Sequence, residues 1–588
     1  MSSGKPGRHS VTQLVQDGSK ICDPREIANA LNKQFISVFT VADNAPLPDP
    51  PQYEIQKSMP PINITKVDVE TRLKKINPNK STGPDGVPPR LLKEMYAVLS
   101  HPLTLLFQKS LNTKSIPQDW KEAYITPVHK GSSRDEASNY RPISLTSGVG
   151  KLLEGIVNSA IIEHLNANKL LSPSQHGFRP SRSVDTNLID AYEHVTELMD
   201  TGSPVDMILL DLAKAFDKVC HRRLNSKLHA IGLHDEVINW TMQFLTNRKQ
   251  VIRVFGDGGS IFFSESADVE SGVPQGTVLG PTLFNIYIND ASSIIKNKIC
   301  LYADDSKIIG PIYDPQSTKD TQADLDALST WAKTWRLEFN IQKCKVIHFG
   351  ANNPLSQYVM ESNGGSKQPL TTSHCEKDLG VLVDNKLKFN LHTQSAVAKA
   401  NQTLGIIKRT FCSRSPAVIT KLLKGLIQPK LEFGMSIATP VNKLDQSILE
   451  SVQQRATKCI RGFQNLPYST RLQRLKIPSL TYRRKRGDVL MTFKLICNHN
   501  IIPDLFQLDS LSRTRGHPLK LYQKCANTRL QKKFFSNHLV GLWNSLSQNA
   551  VKSPNTEAFK SAVDRDWCSK PWRTVWDAPD DQSHHHHH

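Results

Sequence analysis

At 588 residues, with 38% hydrophobic and 22% charged residues, the chain can build several domains with cores of their own and is not a disordered protein. Its 74 Lys and Arg against 54 Asp and Glu give a net charge of +20, which points to a polyanionic partner, nucleic acid being the natural candidate. No signal peptide or run of about eighteen apolar residues is present, so an intracellular protein without a membrane partner is expected. The ten cysteines, nowhere closer than Cys497 and Cys525, exclude a CxxC zinc ribbon.

In chain order, residues 1–61 form an N-terminal extension and linker. Asp23 reads as the cap of a helix with Pro24 in its first turn and apolar residues continuing through Phe35 and Val38. The proline-rich stretch 44–61 is expected to run extended over the surface. Residues 62–204 read as largely helical, interrupted by a loop at 79–86 whose Gly83 and Gly86 permit unusual backbone angles. Residues 205–384 mix strands with covering helices. One apolar strand, 205–211, ends at Asp211, and another, 299–303, runs into Asp304 and Asp305 before 306–309 resumes the pattern.

A bare Asp-Asp pair could be the tip of a surface hairpin. Three carboxylates gathered at strand ends repel one another unless divalent cations neutralise them, an arrangement suited to two-metal phosphoryl transfer. Between the acids, residues 271–281 carry Gly272, Gly276 and Gly280 for tight turns, stiffened by Pro274 and Pro281. Helical periodicity dominates 385–465, with Ser415-Pro416 as a start signal and Val418, Ile419, Leu422, Leu423, Leu426 and Ile427 on one face. Residues 466–577 form a basic region. There Arg483, Arg484, Lys485, Arg486, Arg513, Arg515, Lys532 and Lys533 alternate with Tyr482, Tyr522, Phe534, Phe535 and Trp543. Such a mixture suits single-stranded nucleic acid, although the aromatics are expected to form a helical core. His584 to His588 read as a purification tag.

The blocks Asn139-Tyr140-Arg141-Pro142-Ile143-Ser144-Leu145, Gln175-His176-Gly177-Phe178-Arg179-Pro180, residues 271–281, Tyr302-Ala303-Asp304-Asp305, residues 337–345 and Asp378-Leu379-Gly380-Val381 follow one another in an order that closely resembles the reverse transcriptases of non-LTR retrotransposons (LINE elements). The tail, including Leu472, Leu475, Lys476, Ile477 and Pro478, resembles the chicken-repeat or jockey-like branch. The resemblance implies an α+β right-hand polymerase fold: fingers over 62–204, palm over 205–384, thumb over 385–465 and a helical basic C-terminal domain over 466–577.

The resemblance also implies roles. Asp211, Asp304 and Asp305 are the metal-binding catalytic carboxylates for two Mg²⁺, with Mn²⁺ able to substitute. Lys130 and Arg141 contact the incoming triphosphate, and Leu212 holds it through its backbone amide. Phe216 is an aromatic steric gate against the ribose 2′-hydroxyl, or else a plain core residue. Gln275 and Gly276 border the nucleotide and template. Lys345, with Lys343 as rival, protonates the departing pyrophosphate. Arg179 touches template or phosphate, and the run Arg483 to Arg486 binds nucleic acid.

The implied function is an active RNA-directed DNA polymerase that extends a DNA 3′-hydroxyl on template RNA with dNTPs, in target-primed reverse transcription, working in cytoplasm and nucleus. The alternatives are a non-catalytic RNA-binding scaffold and an RNA-dependent RNA polymerase. The upstream endonuclease of this branch is missing from the sequence, so the chain is not expected to nick DNA. Pro579-Asp580-Asp581 only superficially resembles a nuclease motif, and no RNase H signature is found.

Overall fold

The protein is described here by a computed structural model covering residues 11–131, 133–498, 500–510 and 516–578. Arg513, Arg515, the 579–581 motif and the 584–588 histidines lie outside the described residues. The fold is α+β, as the sequence suggests. Its centre is a five-stranded sheet in the order Thr371–Thr372, Lys345–Phe349, Val205–Asp211, Asp305–Pro311, Lys298–Tyr302. The middle strand, Val205–Asp211, runs antiparallel to both of its neighbours.

Both faces of that strand are covered, which explains its unbroken apolar sequence. Ile208 and Leu210 point into one hydrophobic core with Leu279, Leu283, Leu325 and Leu328 of two covering helices. Val205 and Met207, on the alternate face, join a second core with Leu188 and Tyr192 of helix Val184–Asp200. That second core continues into the C-terminal region through Tyr482, Phe534, Phe535 and Trp543. The aromatics there form a core, with Tyr522 left 48% exposed.

The C-terminal region is fastened to helix Val184–Asp200 by hydrogen bonds as well as by apolar burial. Glu193 accepts from the Ser536 N–H at 2.6 Å and its hydroxyl at 2.8 Å, and Asp200 accepts from the N–H groups of Asn527 and Thr528. The Glu193 bonds are buried and those of Asp200 lie nearer the surface, and together they make the region part of the same body as the central sheet.

A second sheet, in the order Tyr140–Leu145, Glu122–His129, Arg248–Phe255, Ile261–Phe263, lies against the N-terminal helix Pro24–Ser37. The Asp23 side chain accepts from the Glu26 N–H, and the helix stops one residue before Val38, which caps it. The stretch 44–61 contains no helix or strand and is pinned along the body. The Asn168 side chain accepts from the N–H groups of Gln56 and Lys57, and Met59 is buried in the main core.

Between residues 416 and 432 the structure departs from the uniform helix that the periodicity suggests. Pro416–Leu422 and Gln428–Glu432 are separated by a π turn, Leu423–Ile427. Pro429 cannot donate a backbone hydrogen bond, and the widened turn leaves Leu426 45% exposed instead of on the buried face. The cluster built on these helices also takes in Leu472, Ile477 and Leu480, so packing continues across the expected break at 465. Among the described residues, no helix is long and apolar enough to cross a membrane.

Candidate active site

The antiparallel register places Asp305 opposite Asp211, and also opposite Tyr302 across the tight turn that carries Ala303 and Asp304. Ala303 sits at φ 54°, a left-handed conformation that closes the turn. Asp211, Asp304 and Asp305 consequently line one cavity of about 670 Å³. Lys130, Arg141, Leu212, Phe216, Gln275 and Gly276 line it too, so residues spread from 130 to 305 share a single space.

The turn is held from behind. The Gln175 side-chain oxygen accepts from the Ala303 N–H at 2.9 Å and from the Gly177 N–H at 2.7 Å. The Leu301 carbonyl accepts from the His176 N–H and the Asn187 side chain. A Cβ at Gly177 would stand 2.4 Å from the Ala303 nitrogen, so the chain can approach this closely only as glycine. Residues 175–177 thus position the acid turn, a role that their sequence alone does not disclose.

The acids lie in a field of mutual repulsion. The Asp304 carboxyl is raised by burial first and by Asp211. Asp305 reaches solvent by area, yet lost hydration followed by the charges of Asp304 and Asp211 pushes it up to about 6. Lys130, itself lowered by burial and by Arg141, offsets part of that charge.

Around them, the bridge between Leu212 and Phe339 uses the N–H groups of Ala213 and Asn340, leaving the Leu212 amide out of that pairing. Phe216 fits both of its readings. Its ring lines the cavity and stacks on Phe284 with centroids 4.3 Å apart. Gly276 has φ 95°, and a Cβ there would meet the Ser144 carbonyl at 2.7 Å. Next to it the Gln275 carbonyl accepts from the Ser144 N–H, which laces this loop to the strand bearing Arg141.

Among the lining residues that were not anticipated are two charged ones, Asp217 and Lys214. Asp217 is pushed up to about 6 by burial, and Lys214 takes a left-handed backbone. The signal available was position: both follow Asp211 within six residues, on the turn that carries Phe216.

Lys343 lines the same cavity and also a neighbouring one of about 410 Å³ that touches Asp211 and Asp305, whereas Lys345 lines only this second one of the two. Residues 376–380 form the far wall of this second space. Asp378 anchors that wall by pairing with Lys307 and accepting from the Tyr192 hydroxyl at 2.7 Å.

Arg179 lines neither cavity. It donates to the carbonyls of Ser172 and Gln175 and braces the loop behind the turn.

The run Arg483 to Arg486 does not form one cationic surface. It lies on helix Leu480–Cys497, where successive residues point about 100° apart. Arg483 pairs with Glu432 and Arg486 with Asp564, Arg484 is buried in the field of Glu450, and the Lys485 ammonium stands over the Trp572 ring at 4.7 Å.

Among the described residues, no three His, Cys, Asp or Glu side chains converge tightly enough to hold a metal by themselves. The donor set still suits Mg²⁺, which is typically held by one or two carboxylates together with substrate phosphates rather than by an all-protein cage. Hard carboxylate oxygens carrying excess negative charge, with Lys130 and Arg141 across the cavity, meet that requirement.

Residues 128–391 match the family described as reverse transcriptase (RNA-dependent DNA polymerase). The chain is 25% identical over 442 residues to the RNA-directed DNA polymerase from mobile element jockey of Drosophila melanogaster, covering 72% of this chain and 47% of that protein. It is 24% identical over 436 residues to the probable RNA-directed DNA polymerase from transposon BS of the same species, covering 71% and 46%. The putative 115 kDa protein in type-1 retrotransposable element R1DM, also of Drosophila melanogaster, is 25% identical over 470 residues, covering 77% and 43%. The chain spans about half the length of the curated relatives it matches.

Proposed function

We propose that this chain, which carries a reverse transcriptase domain of the non-LTR retrotransposon kind and the right-hand polymerase fold that such a domain implies, extends a DNA 3′-hydroxyl along an RNA template with dNTPs. The observation that carries the reading is the meeting of Asp211, Asp304 and Asp305 with Lys130 and Arg141 around one cavity.

The three aspartates would hold a pair of Mg²⁺ ions, or Mn²⁺ in their place, which supply activation of the attacking hydroxyl and charge neutralisation at the leaving pyrophosphate. Lys130 and Arg141 bind the triphosphate by charge-assisted hydrogen bonds, and the Leu212 amide adds a backbone donor. Phe216, backed by Phe284, presents a ring edge that excludes a ribose 2′-hydroxyl. Gln275 and Gly276 fix the wall against which the new base pair rests. Lys343 borders both cavities and Lys345 only the second, and one of them delivers the proton to the pyrophosphate.

The net positive charge serves template RNA and primer or target DNA, in target-primed synthesis carried out in cytoplasm and nucleus. Primer extension on RNA and DNA templates, with dNTPs or rNTPs and with or without Mg²⁺, tests the reading. Mg²⁺-dependent dNTP incorporation on RNA is expected, and Asp304→Asn should abolish it while RNA binding persists. Undiminished synthesis by that variant would remove the metal-site assignment.

A further inference from the structure

A second cavity, of about 710 Å³, adjoins the nucleotide cavity and shares Ala213 and Lys214 with it. Its walls come from residues 37–41 after the N-terminal helix, the segment after Asp211, the end of helix Pro315–Thr334 with the residues that follow, and Asn363. Five lining side chains are cationic, namely Lys214, Lys218, Arg223, Lys333 and Arg336, against the one carboxylate of Glu338.

Several of these cations are held in place by the fold. Lys218 pairs with Glu338 at 2.9 Å, Lys214 donates to the Ser138 carbonyl, and Arg223 donates to the Thr334 carbonyl. Asp43, beside the wall, pairs with Arg336 and lies 3.6 Å from Arg223 and 3.8 Å from Arg222. Arg336 also donates to the Val41 carbonyl. Glu338, Asp43 and Asp217, whose charge acts on Lys214, are three carboxylates against six cations with Arg222 included, so the cluster keeps a net positive charge.

We propose that this cavity is a second anion site, which receives inorganic pyrophosphate as it leaves the nucleotide cavity past Ala213 and Lys214. The choice of pyrophosphate rests on the polymerase reading; the site itself rests on the cations and the shared wall. A compact, multiply charged anion suits it better than a nucleic-acid strand, because the ligand must compete with Asp43 for Arg336. A phosphodiester carries one charge where pyrophosphate carries several.

Calorimetric titration of pyrophosphate into the full chain, without divalent cation, tests the site. Arg336→Ala should weaken binding about tenfold and the exposed Lys333→Ala roughly threefold, whereas Asp43→Asn should tighten it by a similar factor. The Lys130→Ala/Arg141→Ala double variant should leave this component in place, so it can be scored whether or not the primer-extension assay supports the polymerase reading. Lys333 is exposed in the last turn of its helix, so its variant should fold.

Pyrophosphate binding indifferent to Lys333, Arg336 and Asp43 would overturn the proposal. It would equally be overturned if the same substitutions weakened binding of a short single-stranded RNA while leaving pyrophosphate unchanged, since the surface would then be a track for nucleic-acid backbone.

Discussion

Asp211, Asp304 and Asp305 line one cavity from adjacent strands and the turn beside them, with their repulsion only partly offset by Lys130 and Arg141. On helix Leu480–Cys497, by contrast, Arg483 and Arg486 each meet a carboxylate, and Arg484 lies buried near Glu450. The first group keeps its like charges together at a cost in stability, a cost that makes sense only if a ligand removes it. The second group is balanced by the fold itself. In sequence the arginine run is the more conspicuous of the two, yet geometry makes it mainly architectural. A cluster of charge is informative about function to the extent that the protein leaves it unmatched.

Substitutions should separate the two groups. The largest effect is expected for Asp211→Asn, which should reduce primer extension on the order of a thousandfold or more while leaving the urea unfolding midpoint unchanged or raised, because one repelling charge is gone. Arg484→Ala should do the reverse. It should cost about 3 kcal/mol in urea unfolding, because it leaves Glu450 buried without that cation, and the surviving folded fraction should polymerise normally.

Phe216→Ala should raise rNTP incorporation relative to dNTP on the order of tenfold in single-nucleotide kinetics. Unchanged discrimination would leave Phe216 as a core residue stacked on Phe284.

Burial of the acids, and after it their mutual repulsion, also predicts a pH dependence. Asp305 has its carboxyl raised to about 6, so the metal-free protein gains stability from this group as pH falls through 6, when protonation removes a charge. The rise in melting temperature caused by Mg²⁺ should follow the opposite course, full above pH 6 and shrinking below it as a ligand is lost. Thermal scans at several pH values with and without Mg²⁺ will show whether the two trends cross. The smallest effect belongs to Arg486→Ala, whose partly exposed pair with Asp564 should be worth about 1 kcal/mol or less.

Much of this site can be read in the sequence, because its strands announce themselves. Val205–Asp211 is apolar along its length and stops at an acid, and the pair Asp304-Asp305 interrupts two further apolar runs. The Asp23 cap and the glycine loop at 271–281 are local signals of the same kind, each interpretable from a few neighbouring residues.

What the sequence does not disclose depends on distance along the chain or on direction in space. The Gln175 side chain reaches the Ala303 amide across 128 positions, and nothing near Gln175 predicts that partner. Asp43 lies far in sequence from Arg336, the residue it neutralises. Arg483 to Arg486 look like one patch in one dimension and point around a helix in three. The π turn at Leu423–Ile427 shifts a periodic face by one residue, and Asp217 becomes interesting only once Gln275 and the cavity are placed beside it.

The central claim is that three aspartates jointly bind divalent cations beside a triphosphate. Electron paramagnetic resonance titration of Mn²⁺ into the full chain with primer, RNA template and matched dNTP tests it most directly. The account predicts that the wild type takes up a pair of ions, and that Asp304→Asn and Asp211→Asn lose high-affinity uptake. Equal uptake by all three proteins would contradict it.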